Sequence, residues 1–381
     1  MQIPSYRADE LFSALTTRED FLLLDVRNDE EFERFKVEGP FALDMLNVAY
    51  FEFMEFETES VARVPRGKKI RIVCAKEGSA RYVAEILLKH GYEDVSYLEG
   101  GIRTWGNLLA PVQVAGHETY DLYQFRRPGK ASLSYALACG GEMFVFDPAK
   151  NTSAYRQFTD SRGCAITRTF ETHRQADYIS GSDRLRREVG AEIMAPQPDF
   201  AGARFPYTAV ADGDIFTFRD KGPEVRAIHT PGHTPGSTSY LIDGRYLISG
   251  DAVFILSIGR PDLGGMAKAW STMLFKTMTD KILKWDPGLI ILPGHYMDWR
   301  EADENLVFAA PLRKVIENNA EIYAVRDEAA FFAFIEKNMR PQPEEYARIR
   351  EINAGLLEVD EAEQDVMDLG KNECAASAAG A

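Results

Sequence analysis

Residues 21–26 read Phe-Leu-Leu-Leu-Asp-Val, an apolar run of the length of a buried strand. Residues 70–74 and 95–98 repeat that signal. Between them, residues 81–91 carry Val83, Ile86, Leu87 and Leu88 and close on Gly91, which predicts an amphipathic helix with a glycine C-cap. Strands alternating with helices over the first ~110 residues predict an α/β domain with a parallel sheet. Residues 111–116, running from a proline to a glycine, read as a boundary.

Beyond residue 117 the grain changes. Short strands are predicted at 131–137, 143–147, 225–229, 237–241, 246–249 and 289–292, with a helix at 182–190. Mixed strands followed by polar loops predict an α/β sandwich of two sheets. Residues 303–365, rich in Ala, Glu and Arg, read as helices interrupted at 340–343. The small, polar stretch after Gly370 is expected to be mobile, with Cys374 exposed in it. No repeat of solenoid period is present.

Composition narrows the classes. The chain has 381 residues, enough for two or three domains at roughly 150 residues each. Its 45% hydrophobic and 27% charged residues exclude a disordered chain. No apolar run nears the ~18 residues of a spanning helix. A formal net charge of -15 without a basic block argues against nucleic acid and anionic membrane surfaces as partners. Four cysteines are too few for a disulfide framework, and the N-terminus lacks a basic-then-apolar leader, so a reducing cytoplasm is the expectation.

Candidate chemistry gathers in four short segments. These are Thr172-His173-Arg174-Gln175-Ala176-Asp177-Tyr178, then Thr230-Pro231-Gly232-His233-Thr234-Pro235-Gly236, then Ser249-Gly250-Asp251, then Pro293-Gly294-His295. Each sets a His or Asp in a turn just after an apolar strand, where ligands from distant sequence converge on a rigid scaffold. A histidine in one loop usually means nothing. Four such segments in order mean a site.

The segments resemble the metallo-β-lactamase superfamily over roughly residues 117–310. His173 and Asp177 match its His-x-His-x-Asp-His motif, while Gln175 and Tyr178 stand at the other two ligand positions. His233, Asp251 and His295 match the later ligands. Asp147 sits where the fold usually has an aspartate at a strand end. The resemblance implies a metal at His173, His233 and Asp251. A neutral amide and a phenol are poor donors for a second ion, so a two-zinc hydrolase is disfavoured and Gln175, Asp177, Tyr178 and His295 read as supporting or vestigial second-metal residues. Two imidazoles and a carboxylate suit Fe(II), one per chain, with zinc as the alternative. Ile258-Gly259-Arg260-Pro261-Asp262 resembles the persulfide dioxygenase branch, which implies glutathione persulfide as substrate and sulfite as product. Arg260 is a candidate for binding glutathione carboxylates, with a salt bridge to Asp262 as the alternative. His229 reads as a core residue.

A second constellation is Cys74-Ala75-Lys76-Glu77-Gly78-Ser79-Ala80-Arg81, a cysteine between a buried strand and a helix. Backbone N–H groups there, with Lys76 and Arg81, would stabilise a thiolate or persulfide. Asp25-Val26-Arg27 and Leu98-Glu99-Gly100-Gly101-Ile102-Arg103-Thr104-Trp105 resemble the rhodanese family over residues ~5–110. The resemblance implies that Cys74 is the sulfur-carrying catalytic residue. Glu77 and Ser79 stand where the family loop has Gly and Arg.

The expectation is therefore an α/β chain in three parts. Residues 1–112 form a rhodanese-like parallel-sheet domain, 117–310 a metallo-β-lactamase αββα sandwich, and 311–381 a helical extension and tail. Its expected function is sulfane-sulfur metabolism (hydrogen sulfide detoxification): iron-dependent oxidation of glutathione persulfide coupled to sulfur transfer between persulfide, sulfite and thiosulfate. A glyoxalase-II-like thioester hydrolase and a sulfur carrier with an inert metal domain are the alternatives. A homo-oligomer is left open.

Overall fold

The computed structural model describes residues 3–338 and 341–375 and divides the chain into two compact units. The first takes in residues 1–110, 127–130 and 369–371. Its strands are β1 (Ser5–Tyr6), β2 (Leu22–Asp25), β3 (Met45–Asn47), β4 (Ile70–Val73) and β5 (Val95–Leu98), in the order β1-β5-β4-β2-β3. Every pairing is parallel. The central strands are buried along their length, which is why they read as unbroken apolar runs rather than alternating ones. Helix Glu77–Lys89 buries Ala80, Val83, Ala84, Ile86 and Leu87. It starts earlier than the predicted 81, because its first turn, Glu77-Gly78-Ser79, is polar and carries no periodic signal. Gly91 follows it in left-handed geometry, with φ +81.

The second unit takes in residues 111–126, 131–368 and 372–381. One sheet holds β6 (Ala110–Gly116), β7 (Asp121–Arg127), β8 (Ser132–Cys139), β9 (Glu142–Phe146), β10 (Ala165–Phe170), β11 (Glu192–Pro196) and β12 (Thr208–Val210) in sequential order. The other holds β13 (Ile215–Phe216), β14 (Val225–His229), β15 (Thr238–Ile242), β16 (Tyr246–Gly250), β17 (Ile290–Pro293) and β18 (Ala310–Pro311), also in order. One core joins their faces: Phe144, Phe146 and Phe170 from the first sheet lie in the same apolar cluster as Tyr240, Ile248 and Leu292 from the second. The Phe146 and Tyr240 rings are 5.5 Å apart. Leu274 and Met278 of helix Ala267–Asp280 pack into that cluster as well.

The helices expected beyond residue 303 begin at Leu312, after β18. They belong to this second unit: Leu312, Val315, Ile322, Phe331 and Ile335 are buried in its core. The expectation of an exposed Cys374 in a loose segment is corrected for residues 371–375. Asn372, Cys374 and Ala375 are buried, and Cys374 is 1% exposed. A small polar sequence looks loose, but here its backbone is hydrogen-bonded and its small side chains fit a closed space. Arg340, at one end of the predicted break, and residues 376–381 lie outside the described residues. Among the described residues no helix is long and apolar enough to cross a membrane.

Candidate metal centre and thiol site

The ligand segments follow strands of both sheets. His173 comes after β10, His233 after β14, Asp251 after β16 and His295 after β17. All four side chains are within 1% of complete burial. Asp251 Oδ2 lies 3.8 Å from His173 Nε2 and 3.4 Å from His233 Nε2. These three form one possible ion-binding group. His173 Nε2 and Asp251 Oδ2 have no hydrogen-bond partner. A buried imidazole nitrogen and a buried carboxylate oxygen left bare next to one another are what a cation would satisfy.

The opposite ring nitrogens fix the tautomers. His233 Nδ1 is 2.9 Å from the Arg260 carbonyl, which can only accept, so Nδ1 carries the proton and Nε2 presents its lone pair. Thr172 Oγ1 donates to Asp147 Oδ2 at 2.8 Å and lies 2.9 Å from His173 Nδ1. Asp147 also accepts the Thr172 N–H at 2.7 Å. Burial pushes the Asp147 carboxyl up to about 7, and the His173 imidazole, buried among charges of both signs, is pushed down to about 3. A neutral His173 is the form that binds metal. Gly259 has to be glycine: a Cβ there would sit 1.9 Å from the Asp251 carbonyl oxygen and 3.1 Å from His233 Nδ1.

His295 stands between two carboxylates, with Nδ1 2.8 Å from Asp251 Oδ1 and Nε2 3.0 Å from Asp177 Oδ2. Burial alone would lower its pKa, but Asp251 and Asp177 outweigh burial and raise it to about 10. The same histidines hold Asp251 below the usual carboxylate range against the opposing effect of burial. Asp177, His295 and Cys374 form a second possible ion-binding group. Burial first, then Asp177 and Asp251, push the Cys374 thiol well up.

The two departures from the motif are both buried. Tyr178 donates from its hydroxyl to the Asp147 carbonyl at 3.2 Å. Gln175 is buried, and its Oε1 is without a partner. Asn353 fastens this loop from the C-terminal helices, donating to the carbonyls of Gln175 at 2.9 Å and Tyr178 at 2.8 Å. Arg260 is 1% exposed, its guanidinium bonded to Asp262 at 2.7 and 2.6 Å and to the Glu373 carbonyl at 3.3 Å. The structure thus places it in the salt bridge rather than at an open substrate face. His229 is no ligand either; its Nε2 meets the Pro235 carbonyl at 2.9 Å.

Sequence reasoning missed three residues of this site. Thr172 links His173 to Asp147. Asp199 accepts from Gly236 N at 2.8 Å, Thr234 Oγ1 at 2.6 Å and Arg174 N at 3.1 Å, joining the loops of His173 and His233. Nothing in the sequence around Asp199 marks it. Cys374 had one usable signal: a motif short of donors and a cysteine with no assigned place.

In the first unit, Cys74 directly follows β4 and is 3% exposed. Backbone N–H groups of Lys76 and Ala75 favour its thiolate, but burial outweighs them and the pKa is raised from 9.0. The expected depression by the helix end is therefore reversed, and the side chains of Lys76 and Arg81 are exposed, with Arg81 paired to Glu85 at 3.4 Å. Gly101, with φ +71, lies against this loop; a Cβ would be 2.6 Å from the Ala75 carbonyl oxygen and 2.8 Å from that of Cys74. Glu77 accepts the Gly100 N–H at 2.9 Å. Asp25 and Arg27 form a buried ion pair at 2.6 Å.

Comparison with known proteins agrees with this two-part organisation. Residues 8–108 match the rhodanese-like domain and residues 127–313 the metallo-β-lactamase superfamily. A hydroxyacylglutathione hydrolase of Rhizobium johnstonii is 29% identical over 171 residues, 45% of this chain and 64% of that protein. The chain thus spans just under two thirds of that relative's length. One from Anaeromyxobacter dehalogenans is 30% identical over 192 residues, 50% of this chain and 70% of the other. A metallo-β-lactamase structure from Staphylococcus aureus has a TM-score of 0.57 at 25% identity, covering 64% of this chain and 75% of that one. ETHE1 from Myxococcus xanthus shares the fold with a TM-score of 0.53 at 21% identity, covering 62% and 99%. With its converging histidines and aspartates on a two-sheet sandwich, the chain belongs to the metallo-β-lactamase superfamily and carries an N-terminal rhodanese-like domain.

Proposed function

We propose that this chain oxidises glutathione persulfide to sulfite with O2 and moves sulfane sulfur through Cys74. The observation that carries the reading is the trio His173, His233 and Asp251, with a bare His173 Nε2 facing a bare Asp251 Oδ2, in the same chain as a rhodanese-like cysteine. The trio fits Fe(II), and a ferrous ion held there would supply the O2 chemistry. The overall balance is RSSH + O2 + H2O giving RSH + H2SO3. The protein's own residues fix the donors. The Arg260 carbonyl and Thr172 hold each imidazole in its ligating tautomer, and the buried surround excludes bulk water. Cys74 would accept the outer sulfur of a persulfide, the S–S bond breaking as a new one forms and the thiol carrier leaving with a proton.

A second reading is favoured by the Asp177, His295 and Cys374 group and by relatives named hydroxyacylglutathione hydrolase: a two-metal thioester hydrolase. Oxygen-electrode and thioesterase assays on the iron-loaded and zinc-loaded chain separate the two. Persulfide-dependent O2 uptake that disappears in His233→Ala is the expected result. Thioester cleavage with no O2 uptake would replace it with the hydrolase.

A further inference from the structure

The segment after helix Glu361–Met367 returns to the ligand loops and is held there residue by residue. Asn372 Nδ2 donates to the Ala131 carbonyl at 3.3 Å, and Glu373 N to the Tyr346 hydroxyl at 2.9 Å. Cys374 N donates to Asn372 Oδ1 at 3.2 Å. The Cys374 carbonyl accepts the Arg260 N–H at 2.9 Å, and Ala375 forms an antiparallel bridge with Gly259. Arg260 is the same residue whose carbonyl orients His233. The segment is therefore fastened to the wall of the metal centre, with Cys374 and Ala375 packed among Ala176, Phe254, Leu263 and Tyr346.

This anchoring delivers a thiol to the half of the site that the motif leaves short of donors. Ligand atoms of Asp177, His295 and Cys374 all lie within 4.8 Å of one another, and all three residues are buried. Asp251 and Asp177 flank His295, whose proton now offsets their buried charge, and a divalent ion would take over that part with the thiol as a further donor.

We propose that Cys374 is a metal ligand, supplying a thiolate to a divalent ion of zinc-like softness held with Asp177 and His295. It would take the place of the imidazole that Tyr178 does not provide. Sulfur, imidazole nitrogen and carboxylate oxygen together suit zinc, whereas the nitrogen- and oxygen-only set of His173, His233 and Asp251 suits iron. On binding, the Cys374 S–H bond and the His295 N–H bond directed at Asp177 both break, sulfur–metal and nitrogen–metal bonds form, and two protons pass to solvent. The inference goes beyond the persulfide reading and holds whichever ion sits between His173 and His233.

Cobalt(II) reports the thiolate directly. The full-length chain, stripped and reloaded with Co(II), is expected to show a near-ultraviolet sulfur-to-cobalt charge-transfer band and to bind two ions. Cys374→Ser should lose the band and one ion, while Cys74→Ser keeps both. Cys374→His tests the case in which Ser loosens the segment: it should restore the second ion without the band. No band in the parent, or a band that survives Cys374→Ser, overturns the proposal. That failure leaves the persulfide reading intact, and a chain with the band but no persulfide-dependent O2 uptake overturns the reading alone.

Discussion

Asp199 and Thr234 share a 2.6 Å hydrogen bond, the threonine hydroxyl donating, and through it two ligand loops become one piece. The same carboxylate accepts backbone N–H groups of Gly236, beyond His233, and Arg174, beside His173. Asp199 is 5% exposed. Asp199→Ala should leave the fold in place and loosen the geometry, weakening metal affinity by roughly 10–100-fold, the usual loss when an outer partner of a metal site is removed. Chelator competition against the parent measures it. Equal affinity would mean that the loops hold their shape without the carboxylate.

The pH response of Cys74 separates burial from helix-end stabilisation. Burial wins in the structure, so the thiol sits above 9.0. Alkylation by iodoacetamide at Cys74, corrected with Cys74→Ser, should climb through pH 9 without levelling off below it. A plateau near neutral pH would show that Lys76, Ala75 and the helix end dominate after all.

How far the sequence could be read depended on whether a residue's role lay in its own neighbourhood. The unbroken apolar run from Phe21 to Val26 and the periodic helix ending at Gly91 carry their signals within themselves, so the parallel sheet and its helix were legible. His173, His233, Asp251 and His295 carried their turn residues with them and were legible as a set. Asp199 and Asn353 act on loops far away in sequence, through hydrogen bonds that no local pattern encodes. Cys374 read as surface because short polar segments usually are. Its burial comes from Arg260, Gly259 and Tyr346, which are more than 20 residues off by the order of the chain.

The Asp25–Arg27 pair tests the first unit. Arg27 is 2% exposed, donates to Asp25 and also to the carbonyls of Glu31 at 2.9 Å and Phe35 at 2.5 Å. Arg27→Met leaves a buried carboxylate without its partner, a change that costs about 3–5 kcal/mol. The urea midpoint should fall accordingly, and Arg27→Met with Asp25→Leu should recover much of the loss. A single variant as stable as the parent would show that Asp25 finds other compensation.

Glu301 gives the second unit a stability that depends on pH. Its Oε1 accepts the N–H groups of Met297 at 2.5 Å and Asp298 at 2.9 Å, while Oε2 is buried without a partner. Burial raises its pKa from 4.5 to about 7. The folded state thus holds this proton more tightly than the unfolded chain. The contribution is fully present below about pH 4.5 and is lost as pH rises through about 7. Glu301→Gln cannot ionise, and it keeps an oxygen to accept the two N–H groups. It should match the parent near pH 4 and exceed it at pH 8 by on the order of 2 kcal/mol. Thermal melts at the two pH values make the comparison. A difference independent of pH would mean that Glu301 is ionised throughout and that the turn after His295 owes its shape to a charged carboxylate.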